Sequence, residues 1–160
     1  MNEVRNSKYI RKEYPAFIDD NDAIKYYEKK FQRMKDRNTM ISFNLWGLVF
    51  AEFWCIYRKM LGIGLVSLFV HLGVLCVAMI YDIPILAQIA SAVFAIGFGL
   101  FGNYLYMNYA DNCIMKASVM SYEERQKYYA DNGGASWRIL FGAIASLLVV
   151  LFAVAVSTAG

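Results

Sequence analysis

One histidine, three cysteines and two prolines are all that this 160-residue chain offers of the residues that most often build metal centres, disulfide frameworks and breaks. Cys55, Cys76 and Cys113 are odd in number, and none belongs to a CxxC or to a Cys/His cluster of metal spacing. They read as free thiols, with no disulfide framework, metal or cofactor implied. The chain contains no GxSxG, HExxH, P-loop or dinucleotide fingerprint, and Gly133 and Gly134 lack the Lys and Ser/Thr that a phosphate loop needs. A Ser-His-Asp or Cys-His arrangement would have to use His71, inside an apolar run and far in sequence from any acidic residue. Glu52 as the base of a lipid-headgroup enzyme lacks a visible positioned partner. The expectation is therefore a protein that is not an enzyme. The first forty residues hold no apolar core of the length a cleavable leader needs, so the first spanning helix is expected to serve as its own insertion signal.

What the chain has is apolar length. It is 59% hydrophobic and 16% aromatic, with only 18% charged residues crowded into two regions. This is too apolar for an average soluble domain and reads as one small integral membrane protein. Three runs reach spanning length: Leu61 to Tyr81, Ile83 to Met107 and Ile139 to Ala159, each roughly 21 to 25 residues against a hydrocarbon core about 30 Å thick. Asp82, Ile83 and Pro84 make a tight turn without Lys or Arg between the first two. Ten of the 16 basic residues precede Met40. Arg58 and Lys59 stand before the first run, and Lys116, Arg125, Lys127 and Arg138 lie between the second and third. The positive-inside rule then puts the N-terminal arm and the 108–138 region in the cytoplasm, the Asp82 turn outside and the C-terminus on the far side. The basic excess suits a surface facing anionic lipid better than a nucleic-acid site.

Residues 1–19 read as polar and irregular, with Pro15 breaking any early helix. From Asp20 the pattern is helical: Ile24, Tyr27, Phe31 and Met34 recur at steps of three and four, while Asp20, Asn21 and Asp22 supply capping oxygens. This amphipathic helix can pack its stripe on the protein or lie on anionic lipid. Farther on, Ser121 and Glu124 form a capping box for a short helix to about Tyr129. Asn132, Gly133 and Gly134 end it in a turn, and Ser136 caps the last apolar helix.

The segment Met40 to Met60 is nearly long enough to span, but basic residues flank it on both sides. Spanning would force either translocation of the basic arm or reversal of everything after it, and its interior carries Asn44 and Glu52. Trp46, Phe50, Phe53 and Tyr57 share one helical face, Trp54 lies outside it, and such aromatic density is typical of the headgroup level. The segment is read as an interfacial or re-entrant helix, with Arg58 and Lys59 anchoring its end to phosphates. A fourth spanning helix is the alternative.

The expected architecture is thus an all-α membrane protein with three transmembrane helices, an aromatic interfacial or re-entrant helix and an N-terminal amphipathic helix. Its parts are a cytoplasmic basic arm (1–39), the aromatic segment (40–60), a two-helix transmembrane hairpin (61–107), a cytoplasmic helical excursion (108–138) and the third transmembrane helix (139–160). Within it, His71 shares a face with Gly64, Ser67 and Ala78, which points to a structural interhelical hydrogen bond or to a proton relay. Ser91, Ala95, Gly99 and Asn103 recur every fourth residue as a small-residue stripe, and Gly142 and Ser146 begin another.

The string Ile24 to Met60 resembles an uncharacterised family of small bacterial inner-membrane proteins. The residues that carry the likeness are Tyr26, Tyr27, Lys30, Phe31, Ser42, Phe43, Asn44, Trp46, Phe50, Phe53, Trp54, Tyr57, Arg58, Lys59 and Met60. Gly102, Asn103, Leu105 and Tyr106, and later Gly133, Gly134 and Ser136, resemble its downstream features. The family has Gly-Pro where this chain has Ala51 and Glu52, and Asn108 to Met120 is less basic here. The resemblance implies an α-helical protein of the cytoplasmic membrane and brings no catalytic residues with it.

Two functions follow as expectations. The first is a non-enzymatic assembly or interaction subunit of the cytoplasmic membrane, N-terminus inside, forming a homo-oligomer or part of a larger membrane complex. The second is an oligomeric small transporter or channel subunit in which Glu52, His71, Gln88 and Asn103 line a polar pathway.

Overall fold

The computed structural model describes the backbone of residues 2–159 and the side chains of residues 8–149. Among these residues all regular structure is helical: α1 (Asn2–Ile18), α2 (Asn21–Asp36), α3 (Leu45–Phe50), α4 (Glu52–Tyr57), α5 (Leu61–Ile80), α6 (Pro84–Ala117), α7 (Tyr122–Asn132) and α8 (Trp137–Ala159). Two of these helices, α5 and α6, are long and apolar enough to cross a membrane. The side chains of α8 are described as far as Val149, over which it is also apolar.

Residues 2–18 depart from the irregular arm expected of them, because α1 runs straight through Pro15. A proline in a helix interior loses one backbone bond and crowds the preceding turn. Here it sits three residues from the end, and Ile10, Tyr14, Phe17 and Ile18 form a buried stripe whose packing outweighs that loss. The helix stops where Asp19 turns left-handed at φ 49°. Asp20 then caps α2 by accepting from the Asp22 and Ala23 amides at 3.0 and 2.9 Å. The stripe read along α2 packs inward: Tyr27, Phe31 and Met34 are buried, and Ile24 is partly so.

The 34-residue α6 holds two halves of the molecule together. At 1.5 Å per residue it is about 51 Å long, well beyond a 30 Å hydrocarbon core. It passes Met107 without interruption, so the first ten residues of the expected 108–138 excursion continue the helix. Beyond Asn103 the helix turns amphipathic and buries Tyr106, Ala110, Cys113, Ile114 and Ala117 under α1, α2 and α7. Aromatic edges fill that head: Tyr27 on Tyr106 at 4.8 Å, Tyr14 on Phe31 at 5.2 Å and Phe17 on Tyr129 at 5.6 Å between centroids. One ionic knot ties three helices, since Lys35 Nζ lies 2.9 Å from Asp111 Oδ2 and 2.8 Å from the Tyr14 hydroxyl, which itself donates to Asp111. Burial first, and then the Asp111 charge, push the Tyr14 hydroxyl up from its ordinary value. In α7 the capping box is complete. Ser121 Oγ accepts from the Glu124 amide at 3.4 Å, and Glu124 Oε2 accepts from the Ser121 amide at 3.0 Å.

Along the apolar half of α6, the aromatic segment is not one helix. It forms a hairpin of α3 and α4 that packs on α6 and α5. Glycines make this possible. A Cβ on Gly47 would stand 2.5 Å from the Phe98 carbonyl oxygen, one on Gly99 3.0 Å from Leu48, and one on Gly64 2.7 Å from Ile56. The small stripe of α6 therefore receives the hairpin at Gly99 and Asn103. Gly97 and Gly142 have open space where a Cβ would go. The obstacle at Gly47 is backbone and cannot turn aside, so Gly47→Ala is expected to lower stability by about 1–3 kcal/mol. Gly97→Ala, in a helix interior with open space, should raise it by about 0.5–1 kcal/mol. Thermal unfolding of the two variants in the same detergent checks the contrast.

Candidate functional site

The hairpin turns at Ala51, held at φ 43° and ψ −115°, a combination that non-glycine residues rarely adopt and that costs about 1–3 kcal/mol. Asn44 starts the descent by capping α3, its Oδ1 accepting from the Gly47 amide at 3.0 Å. From Asn44 beside Gly102 to Gly47 beside Phe98, α3 runs antiparallel to α6. From there α4 climbs back, with Trp54 against Gly102 and Tyr106 and with Arg58 over the Tyr106 ring. Glu52, first residue of α4, therefore sits at the tip of the hairpin, only 3% exposed. A carboxylate is electrostatically well placed at the start of a helix.

Three helices meet at that tip. Glu52 Oε1 lies 2.8 Å from His71 Nδ1 on α5, and His71 Nε2 lies 3.2 Å from Ser91 Oγ on α6. The imidazole stacks on Phe94, 4.4 Å between centroids and 10° from parallel, which fixes its plane. With Glu52 ionised, Nδ1 carries the hydrogen and donates to the carboxylate, leaving Nε2 to accept from the Ser91 hydroxyl. The result is a continuous Glu–His–Ser line along which a proton can pass. Its order is that of an orienting acid, a base and a hydroxyl. Ser91, however, lies inside the unbroken ladder of α6, so the neighbouring amides are engaged in helix bonds and do not form an oxyanion hole. Proton exchange suits this geometry better than acyl transfer.

Of the expected polar pathway, Glu52 and His71 come together, while Asn103 and Gln88 do not join them. Asn103 is fully buried and serves the hairpin instead, donating to the carbonyls of Ser42 and Phe43, each at 3.2 Å, and to Ser42 Oγ at 3.1 Å. Gln88 is exposed and makes no hydrogen bond among the described residues. Ser91, read from the sequence as part of a packing stripe with Ala95, is the third member of this hydrogen-bonded line. Ser67 and Ser146 bond carbonyls of their own helices, at Ile63 and Gly142.

The aromatic residues Trp46, Phe50, Phe53, Trp54 and Tyr57 line one groove, although the segment is two helices and not one. The two basic residues behind them have partners within the protein. Lys59, left-handed at φ 60°, gives its ammonium to the Ala130 carbonyl at 2.5 Å. Arg58 lies over the rings of Tyr27, Tyr106 and Tyr57 at 4.7, 5.4 and 5.6 Å.

These features define a class: an all-helical protein with two helices of membrane-crossing length, a helical head on the extension of one of them, and a broken-helix hairpin carrying a buried Glu–His pair. Residues 8–111, well over half of the chain, match the family described as Protein of unknown function (DUF2628), and the chain belongs to that family. No curated protein and no solved structure matches it.

Two outcomes follow from this geometry. Ala51→Gly relieves the backbone at the tip and is expected to raise stability by about 1 kcal/mol, read as a higher unfolding midpoint. Because His71 is the only histidine, nitrogen-15 spectra report it without assignment. The wild type should show hydrogen on Nδ1, and Glu52→Ala should shift it to Nε2. An unchanged tautomer in that variant would show that Glu52 does not orient the ring.

Proposed function

We propose that the protein is a multi-pass protein of the cytoplasmic membrane and that it works as an oligomeric subunit for proton movement through the Glu52–His71–Ser91 line. In this reading α5, α6 and α8 cross the bilayer, and α3 and α4 form a re-entrant hairpin. The head of α1, α2 and α7 stays on the cytoplasmic side, where the basic excess of the N-terminal arm belongs. A six-residue helix rises about 9 Å and cannot cross 30 Å of hydrocarbon, which supports entry and return over a fourth span.

The observation that carries the proposal is the buried carboxylate at the hairpin tip. A carboxylate near the middle of a bilayer costs about 2.5–3.5 kcal/mol on insertion scales. Pairing with His71 offsets that cost, yet two apolar side chains of the same volume would be at least as stable. An ionisable pair kept at a broken helix, at membrane depth, is the usual mark of an ion or substrate path. Three spans are too few to enclose such a path, so the subunits must associate. A second reading, the non-enzymatic assembly subunit, is favoured by α8, which touches only α4 among the described residues and leaves Phe141, Leu148 and Val149 exposed.

Proteoliposomes holding a pH dye and driven by a potassium diffusion potential discriminate the two. Proton uptake above that of empty vesicles is expected for the wild type and for Gly97→Ala, and should fall at least tenfold in Glu52→Gln and His71→Leu. Uptake indistinguishable from empty vesicles, by a chain that native mass measurement shows to be oligomeric, would leave assembly as the function.

A further inference from the structure

The groove between the hairpin and α8 has a volume of about 540 Å³, within the range of ligand pockets. Its walls are aromatic: Trp46 stacks on Phe50, Trp137 on Phe141, and Tyr57 leans on Trp137 at 4.7 Å between centroids. Leu140 and Ile144 complete the α8 side. Arg58 also lines this groove. Its guanidinium is held by three tyrosine faces, and among the described residues no carboxylate lies within 4.0 Å of it. Arg58 Nε and Nη1 are buried without a hydrogen-bond partner. An arginine so placed carries a positive charge that no carboxylate answers beside an apolar slot, and the group that suits such a charge there is a phosphate.

We infer that this groove is a binding site for one anionic phospholipid, an acyl chain lying between the hairpin and α8 and the headgroup phosphate on Arg58. The inference rests on the membrane reading above and is independent of proton movement. A second copy of the chain is the weaker occupant: the apolar helices it could insert carry no unpaired carboxylate to answer Arg58, because Asp82 lies in the turn beyond them, Asp111 of α6 is paired with Lys35 in the head and Glu52 is paired with His71. A zwitterionic lipid fills the slot equally well but offers the guanidinium a phosphate already compensated by its own cation.

The chain itself provides the reporter, since Trp46, Trp54 and Trp137 are its only tryptophans and all three line the groove. Purified protein is reconstituted into vesicles that contain either brominated phosphatidylglycerol or brominated phosphatidylcholine in a neutral background, and tryptophan quenching is followed against mole fraction. Half-quenching is expected at an about fivefold lower mole fraction of the anionic lipid, the factor that one cation at an anionic surface supplies. Arg58→Gln should bring the two curves together, and Arg58→Lys should keep most of the gap. Because Arg58 also packs among tyrosines, a groove-filling variant that leaves it in place, Leu140→Phe, provides the second test and should narrow the gap likewise. Coincident curves for the wild type, or an undiminished gap in Leu140→Phe, would overturn the lipid site. Absence of quenching by either lipid would overturn the membrane reading itself.

Discussion

Peptide groups on the extended link between the head and the hairpin need partners, and the rest of the molecule is arranged to provide them. Residues 40–44 are neither helix nor strand, yet Asn44 is fully buried. Irregular backbone of this kind survives in an apolar setting only when protein atoms replace water. Here α6 does so directly: the Ser42 amide donates to the Leu100 carbonyl at 2.9 Å and the Asn44 amide to the Gly99 carbonyl at 2.8 Å. The opposite edge of the link is served by side chains. Asn103 reaches the Ser42 and Phe43 carbonyls, and Tyr26 and Lys30 of α2 reach the Phe43 carbonyl at 3.3 and 3.0 Å. One carbonyl thus joins the head, α6 and the hairpin. Gly47 is needed because its backbone is drawn against the Phe98 carbonyl, while Gly99 and Gly102 leave room for the side chains of Leu48, Asn44 and Trp54.

The same logic closes the other end of the hairpin. Where α4 stops, Met60, Lys59 and Arg58 turn the chain into α5, and each part of that turn is tied to the head. The Tyr109 hydroxyl lies 3.1 and 3.0 Å from the carbonyls of Lys59 and Asn132 and shares its one hydrogen between them, and the Ser136 amide donates to the Tyr57 carbonyl at 2.9 Å. Gly134, left-handed at φ 68°, donates its amide to the Phe17 carbonyl at 2.8 Å. The hairpin is therefore clamped at entry and exit by different helices of the head. Only its tip, Ala51 and Glu52, depends on α5 and α6 alone.

Much of this was legible in the residues. The α2 stripe, the capping box at Ser121, the Ser136 cap and the apolar runs of α5 and α6 are local signals, and tertiary packing agrees with each. Where packing disagreed, the local signal failed. Pro15 reads as a break, but four buried side chains hold its helix together. The apolar run ends at Met107, but the polar residues just beyond it, Asn108, Asp111 and Asn112, mark departure from an apolar environment, not loss of helix. The break at Ala51 could not be seen because neither residue there is a turn former. A Gly-Pro pair, as the family resemblance leads one to expect at this point, suits the same backbone: glycine is free at φ 43° and proline is favoured at the first helical position. The Glu52–His71 pair was the hardest to read. Nineteen residues separate the two, and they meet only once the segment is folded back on α5.

That fold-back explains why Glu52 stands where it does. Proline at position 52 would start α4 equally well, and glycine at position 51 would remove the backbone strain. Ala51 and Glu52 instead retain a strained residue and introduce a charge, two costs at one point that packing alone does not require. Both are consistent with a tip held rigidly against His71, because a more permissive glycine there would let the carboxylate swing away from the imidazole. α4 links this tip to Arg58 over six residues of helix, with the carboxylate at one end and the guanidinium at the other. That helix carries at its two ends the only buried carboxylate and the only tyrosine-caged guanidinium among the described residues.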